Sequence, residues 1–426
     1  MGPPRVKVAI VGGGWTGIAA AAALADAGHD ITVFEMAPQL GGRARSLAAA
    51  PGAAPLDNGQ HILIGAYRDS LALMHRLGID PARALLRRPL ALPYPGEPGL
   101  RLPPGAPLPS FARGVLNHRG WAWRSRLALL AAASGWLLRG FRCDEHWDVA
   151  RLCAGLPAEV RRDLIEPLCV AALNTPAAQA SATVFLRVLR DALFGGPGGA
   201  DLLLPRQPLS ELLAEPATRW LGPRLRRGCR VQQLTPAAPG WHVDGEAFDA
   251  VVLACTSIEA ARLAAPLAPA WSACAQALRF EPILTVYLQS PGSRLPEPML
   301  ALREGPESPA QFVFDHGQLG TAPGRFAFVV SGAAPWVARG DGAEAVLAQA
   351  RRELSWATPP LIERAITEKR ATFACTPGLT RPTQALLPGL LAAGDYVAGP
   401  YPATLEGAVR SGLAAAQRLA SLATGA

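Results

Sequence analysis

The chain has 426 residues, half of them apolar, and a formal charge of +8. That size and hydrophobicity exclude a disordered or minimal stapled domain and lead us to expect a large core shared by two connected lobes. The seven cysteines (Cys143, Cys153, Cys169, Cys229, Cys255, Cys274 and Cys375) have no Cys-x-x-Cys spacing, so neither a zinc site nor a disulfide framework is expected, no metal is assigned, and a reducing compartment fits. In chain order, Val6–Val11 reads as a short buried parallel strand that stops at three glycines, so it does not become the apolar core of a secretory signal. The same glycines, and the change of period after them, argue against a membrane span over Val8–Leu24.

Gly12-Gly13-Gly14-Trp15-Thr16-Gly17 follows the strand, then an Ala-rich helix former over Ile18–Ala27 ended by Gly28, then a strand, Ile31–Phe34, with Glu35 at its end. Strand, G-x-G-x-x-G, helix, strand and acid together form a dinucleotide-binding unit. Gly12 permits the tight turn, Gly14 lets a pyrophosphate approach the backbone, and Gly17 lets the helix close on the sheet. The phosphates belong on the helix N-terminus, around Gly13 and Thr16, where free N–H groups and the helix dipole favour negative charge. Glu35, eighteen positions after Gly17, suits a carboxylate accepting from ribose hydroxyls and disfavours a 2′-phosphate.

Next comes Gly41-Gly42-Arg43-Ala44-Arg45, and here the sequence resembles the flavin amine oxidase and phytoene desaturase superfamily. The resemblance implies FAD as cofactor, with Gly42 and Arg43 on its pyrophosphate side and Arg45 close by. It returns at Leu56-Asp57-Asn58-Gly59-Gln60-His61, similar to the segment that passes the isoalloxazine, where Gly59 would let backbone approach the ring. Asp201–Pro205, Leu209–Leu213 and Gly228–Val231 resemble the return to the cofactor domain, with the backbone of Val231 placed to pair with adenine, and Phe248–Thr256 reads as another buried strand. Gly195–Gly199 lacks a preceding strand and the motif spacing, and reads as a flexible connection.

The C-terminal part resembles the phytoene desaturase ending. A strand finishes in Gly394-Asp395-Tyr396, and Thr404-Leu405-Glu406-Gly407-Ala408 opens a helix carrying Ser411 and Gly412. By resemblance Asp395 serves ribityl or phosphate groups, while Thr404, Leu405 and Ala408 aim the helix N-terminus at the flavin. The small residues Gly407, Ala408, Ser411 and Gly412 are expected to let that helix lie against the cofactor. The implied fold is α/β, a two-dinucleotide-binding-domain flavoprotein with a Rossmann-type FAD domain and an interleaved α+β substrate domain. We expect the FAD domain to comprise 1–80, 200–262 and 385–426, and the substrate domain 81–199 and 263–384.

Within the substrate domain, Pro103–Pro109 reads as a rigid connection. From Arg101 to Gly140 there are six arginines and no acid, interleaved with Trp121, Trp123 and Trp136 around the apolar run Leu127–Leu138. That run is too short to span a bilayer. Two readings of 110–141 stand, a helix lying in the headgroup layer of an anionic membrane and an ordinary buried helix with solvated ends. Lysine occurs only as Lys7 and Lys369, so the positive charge is nearly all arginine; a compositional bias and an anionic partner both account for it. No nucleic-acid recognition motif accompanies the charge. Helices are expected over Val149–Ala172 and Ala182–Leu193, and strands over Ile283–Gln289, Gln311–Asp315 and Arg325–Ser331.

Within the superfamily the chain is most similar to the squalene-associated branch, the bacterial hydroxysqualene dehydroxylases, at Asp57–Leu63, Asp201–Arg206 and Tyr401–Ala408. That resemblance implies a hydrophobic isoprenoid substrate, hydroxysqualene, its hydroxyl replaced by hydrogen to give squalene for hopanoid synthesis. It implies a cytoplasmic enzyme, peripheral on the inner face of the cell membrane under the first reading of 110–141. His61 is the candidate acid, with a cofactor-orienting role as its alternative. A carotenoid-type desaturase, an amine oxidase and a non-catalytic FAD-bound lipid carrier are the competing functions. No second nucleotide motif designates the electron donor.

Overall fold

A computed structural model describes residues 5–47, 54–193 and 195–423; residues 1–4, 48–53 and 424–426 of the expected FAD-domain segments lie outside the described residues. Strand β1 (Lys7–Val11) is buried almost throughout and ends at Gly12, whose φ of +114° turns the chain into helix α1 (Trp15–Asp26). The alanines of α1 leave its backbone able to lie close to its neighbours, and β2 (Asp30–Glu35) returns beside β1. Helix α2 (Arg68–Arg76) follows, then α3 (Pro107–Leu116), opened by a proline at its first turn, and α4 (Trp123–Leu138). The helix expected over Val149–Ala172 is observed as a short turn, Val149–Leu152, and a helical run over 158–173 with a π-helical middle turn at Arg161–Ile165. Helix α5 (Ala182–Leu193) matches its expected bounds.

Strands β3 (Leu225–Arg227) and β4 (Ala250–Leu253) bring the chain back to the first sheet. Strands β5 (Phe280–Gln289), β6 (Met299–Ala301), β7 (Phe312–Asp315), β8 (Arg325–Val330) and β9 (Leu361–Phe373) build a second one. Strands β10 (Ala385–Leu387) and β11 (Leu390–Ala392) lead to the terminal helix α6 (Leu405–Ala423).

The first sheet has the order β3-β2-β1-β4-β11-β10 and is parallel except for the hairpin partner β10. Val8 registers with Ile31 on one side and Ala250 on the other. Strands of a parallel sheet are covered on both faces, which is why β1 and β4 are nearly unbroken apolar runs. One face carries α1 and α6 in a core containing Ile10, Ile18, Ala22, Val252, Leu391 and Val409. The second sheet, β6-β7-β8-β5-β9, is antiparallel and forms with the middle helices the larger core containing Phe185, Tyr287, Phe314 and Phe373. A small sheet, Leu63–Ile64 with Leu202–Pro205 and Leu85–Arg88, stitches segments expected in both lobes. In such α/β sheets the ligand lies beyond the carboxyl ends of the strands, here past Val11 and Leu253.

Candidate functional site

The Gly-rich turn is packed from below and open above. A Cβ on Gly17 would lie 1.9 Å from the Gly12 carbonyl oxygen, so only glycine lets α1 close on the turn. A Cβ on Gly13 would lie 2.2 Å from Leu40 Cδ2, whereas one on Gly14 would meet nothing nearer than Gly42 Cα at 3.9 Å. Gly14 therefore faces the open side, where a phosphate can reach the backbone. Glu35 is buried at the end of β2; its carboxylate accepts from the Gly13 N–H at 2.7 Å and the Ala37 N–H at 2.7 Å. Those two bonds lock the carboxylate across the turn and leave lone pairs for a ribose diol.

Arg43 donates to Asp395 Oδ1 at 2.6 Å and to the Ala371 carbonyl at 2.8 Å, joining the turn after β2, the end of β9 and the segment after β11. Burial penalises its guanidinium, yet Asp395, with Glu368 behind it, holds its pKa above the ordinary arginine value. Arg45 folds back onto the Gly42 carbonyl. Val231 is buried, and its carbonyl accepts from Arg262 Nη2 at 2.6 Å. Arg262 and Arg230 share Glu259, a network beside Val231 that sequence reading missed because Glu259 and Arg262 lie on a helix about thirty residues farther along the chain.

At the other end Gly59 has a φ of +90°, and a Cβ there would lie 3.7 Å from the His61 ring and 3.9 Å from Thr285 Oγ1. His61 Nδ1 lies 3.0 Å from the Gly59 carbonyl, so in the tautomer this contact requires Nδ1 carries the hydrogen and Nε2 is an acceptor. Burial lowers the imidazole pKa, the Gly59 bond opposes that, and Arg43 adds to it. Thr404 bonds the Gly407 N–H through Oγ1 at 2.9 Å, capping α6, with Leu405 as its first residue. Glu406, fully buried, accepts from the backbone N–H groups of Asp69 and Ser70, from Ser70 Oγ and from Arg410, fastening the start of α6 to the start of α2. The small residues of α6 divide otherwise than expected. A Cβ on Gly412 would lie 2.3 Å from the Thr16 carbonyl and one on Gly407 1.8 Å from the Tyr401 carbonyl, so both serve the protein's own backbone, and Ser411 Oγ accepts from Gly394 N–H.

These residues surround a single cleft of about 640 Å³, within the ~300–1,000 Å³ of small-molecule and cofactor sites. Its lining includes Gly12, Gly14, Thr16, Glu35, Gly42, Arg43, Arg45, Gly59, His61, Val231, Gly394, Asp395, Thr404, Leu405 and Ala408. Gly13 and Gly17 are not in the lining; they shape the turn from beneath. Lining residues that sequence reading did not single out are Trp15, inside the Gly-rich turn itself, and Tyr67, Asn174, Ser257, Thr285 and Glu368, from other parts of the chain. Among the described residues eight buried side-chain polar atoms lack a hydrogen-bond partner, and four of them belong to this cleft: Trp15 Nε1, Ser257 Oγ, Thr285 Oγ1 and the Tyr396 hydroxyl. Buried polar groups are normally satisfied, so their concentration here fits a long, polar-studded ligand such as FAD. Burial, with Cys255 and Asp395 adding to it, raises the Tyr396 pKa well above the ordinary phenol value, so its hydroxyl stays a donor. The lining also includes the apolar side chains of Ala171, Ala172, Phe280, Ile283, Ile366 and Phe373, beside the polar Asn174, Thr285, Ser331 and Thr372.

The model of the flavin containing amine oxidoreductase family matches residues 15–420. The chain is 30% identical to the hydroxysqualene dehydroxylase of Rhodopseudomonas palustris, over 96% of this chain and 97% of that one. It is 32% identical to a zeta-carotene desaturase of Zea mays, over 25% of this chain and 19% of that one. Among solved structures it is similar to an oxidoreductase of Methanosarcina mazei with a TM-score of 0.74, at 15% identity, covering 97% of this chain and 100% of the other.

Proposed function

Because the chain belongs to the flavin containing amine oxidoreductase family and is an FAD-dependent oxidoreductase, we propose that it reductively dehydroxylates hydroxysqualene to squalene. The observation that carries this reading is the end-to-end likeness to a hydroxysqualene dehydroxylase, joined to a cleft whose lining includes Ala171, Ala172, Phe280, Ile283, Ile366 and Phe373. We assign the adenosine end to Glu35 and Val231, the pyrophosphate to Gly12, Gly13, Gly14, Thr16, Gly17, Gly42, Arg43 and Arg45, and the ribityl chain to Gly394 and Asp395. Gly59, Thr404, Leu405 and Ala408 take the ring. The FAD unit is assigned to 1–80, 200–262 and 385–426, and the substrate unit to 81–199 and 263–384.

Bound FAD in its reduced form supplies the hydride. The overall change consumes that hydride and one proton and releases water. Ala171, Ala172, Ile283 and Ile366 hold the isoprenoid chain and keep bulk water from adding back to the allylic carbon. His61 is the proposed proton donor to the departing hydroxyl. Its neutral form offers Nε2 only as an acceptor, so the acid is the protonated minority that burial and Arg43 keep small at neutral pH. A substrate of this kind dissolves in lipid, which supports a reaction carried out at a membrane surface.

The test is anaerobic: protein reduced with dithionite, mixed with hydroxysqualene, with the products identified by mass. Squalene formed in step with flavin reoxidation is expected. A desaturated polyene product, or flavin that stays reduced, sinks the reading.

A further inference from the structure

Helix α4 is apolar on the side that faces away from the protein. Ser125, Leu129, Ala133 and Trp136 are its buried face. Opposite them, at helical spacing, Trp123, Leu127, Ala131, Ser134 and Leu138 are exposed, and no charge interrupts that stripe. Leu138 is 87% and Trp123 59% exposed, and of the eight exposed large apolar side chains among the described residues five fall between Leu108 and Leu138. A helix with apolar residues on both faces and water on one of them is poorly placed unless something covers it.

The charges around the stripe say what covers it. Arg113, Arg119, Arg124, Arg139 and Arg142 are all exposed, and none belongs to an ion pair among the described residues, although arginine pairs abound elsewhere. Arg124 acts on Glu159, which also accepts from the Ala122 N–H at the start of α4. Cations at both ends of an exposed apolar helix face complement a surface that is anionic at its rim and hydrocarbon beneath. No helix among the described residues is long and apolar enough to cross a membrane, so the contact is lateral.

We infer that α4 lies in the headgroup layer of an anionic phospholipid bilayer, with Trp123, Leu127 and Leu138 buried among acyl chains and Arg119, Arg124 and Arg139 at the phosphates. The buried face of α4 packs on the start of the helical run over 158–173, whose far end supplies Ala171 and Ala172 to the cleft. At 1.5 Å per residue that run is about 24 Å long, so it ties the bilayer surface to the cleft. The inference deepens the dehydroxylase reading, resting on it only for the bilayer as the source of substrate.

Purified FAD-loaded protein is floated on phosphatidylcholine vesicles with and without phosphatidylglycerol, at low and high salt. Flotation is expected with the anionic vesicles at low salt. Arg119→Gln/Arg124→Gln/Arg139→Gln should weaken partitioning on the order of a hundredfold, and Trp123→Ser/Leu127→Ser/Leu138→Ser at least about tenfold. All six positions are solvent-facing, so flavin content and melting temperature should match the parent. No flotation of the parent on anionic vesicles overturns the inference, as does parent-like flotation of both variants. A concentration-dependent dimer broken by the apolar variant assigns the face to a second copy and equally overturns it. Turnover of detergent-dispersed hydroxysqualene should be equal in parent and variants. If no protein turns it over, the reaction reading fails while the flotation result stands.

Discussion

Gly14 and Gly17 are three residues apart and answer to different neighbours. A methyl on Gly17 would sit 1.9 Å from a carbonyl oxygen of the same turn, while one on Gly14 would project into the cleft from an ordinary extended backbone, φ −77° and ψ −177°. Gly17→Ala is expected to lower stability by at least about 1–3 kcal/mol, the usual range for overpacking. Gly14→Ala should leave the melting temperature of flavin-free protein unchanged and weaken FAD retention roughly tenfold or more. Differential scanning fluorimetry and the flavin-to-protein absorbance ratio separate the two effects; equal melting temperatures would refute the assignment. Glu35 yields a related expectation. Glu35→Ala removes two charge-assisted bonds, to the buried Gly13 N–H and the half-buried Ala37 N–H, each contributing about 1.5–3 kcal/mol, so the purified variant should be nearly colourless.

His61 belongs to the same scale. Because its folded pKa lies below 6.5, the protonated form grows as pH falls through 6.5 toward that lowered value. If His61 delivers the proton, single-turnover rates should climb as pH falls and level off below the imidazole pKa, and His61→Ala should abolish the climb. A flat profile in the parent, or an unchanged one in the variant, would pass the proton to a water. The glycines were readable in sequence because backbone geometry demands them, and Glu35 because its carboxylate stands at a fixed spacing at the end of the second strand. The tautomer of His61 was not, since a carbonyl two residues back decides it.

Among elements, the terminal helix shows where motif reading stops short. Its sequence announced a helix aimed at the cofactor, and the small residues seemed to share that purpose. Gly412 instead lets α6 touch the Thr16 carbonyl of α1, so the two helices flanking the Gly-rich turn are seated on one another. Thr404 fixes where α6 begins. Thr404→Ala removes the bond to the Gly407 N–H and should cost about 1 kcal/mol, the typical value of a lost helix cap. It should also shift the flavin reduction potential, because the helix end then moves against the ring; a potential identical to the parent's would detach α6 from flavin tuning. Strand β9 escaped sequence reading altogether. Glu363, Arg364, Glu368, Lys369 and Arg370 make it polar on both sides, as suits the exposed edge of a sheet, and its pairing with β5 spans about eighty residues of chain. With it were missed Glu368 and Ala371, which face the cleft and hold Asn58 and Arg43.

At the scale of the whole molecule, two buried groups near the junction of the sheets oppose each other in pH. His316 bonds Gln60 Oε1 through Nε2 and Thr321 Oγ1 through Nδ1, and burial, aided by Arg325, depresses its pKa from 6.5 to about 4. Asp57 accepts from Ser46 Oγ and the Leu209 N–H, and burial pushes it from 3.8 to about 6 against both bonds. For His316 the stability is complete above 6.5 and is lost as pH falls toward 4. For Asp57 it is complete below 3.8 and is lost as pH rises through 6. At ~1.36 kcal/mol per pKa unit each effect reaches about 3 kcal/mol, with opposite sign over nearly the same window, so the parent should change little between pH 7 and 4 on their account. Single variants expose what the pair conceals. Asp57→Asn keeps the acceptor and leaves His316 unopposed, so urea midpoints should fall on acidification. His316→Gln leaves Asp57 unopposed, so its midpoints should rise relative to the parent's over the same range. Two variants with parallel pH slopes would show that neither group titrates as its surroundings require. Gln60, bound to His316, and Asn58, adjacent to Asp57, both line the cleft, so the same titrations should perturb flavin absorbance in the single variants before unfolding begins.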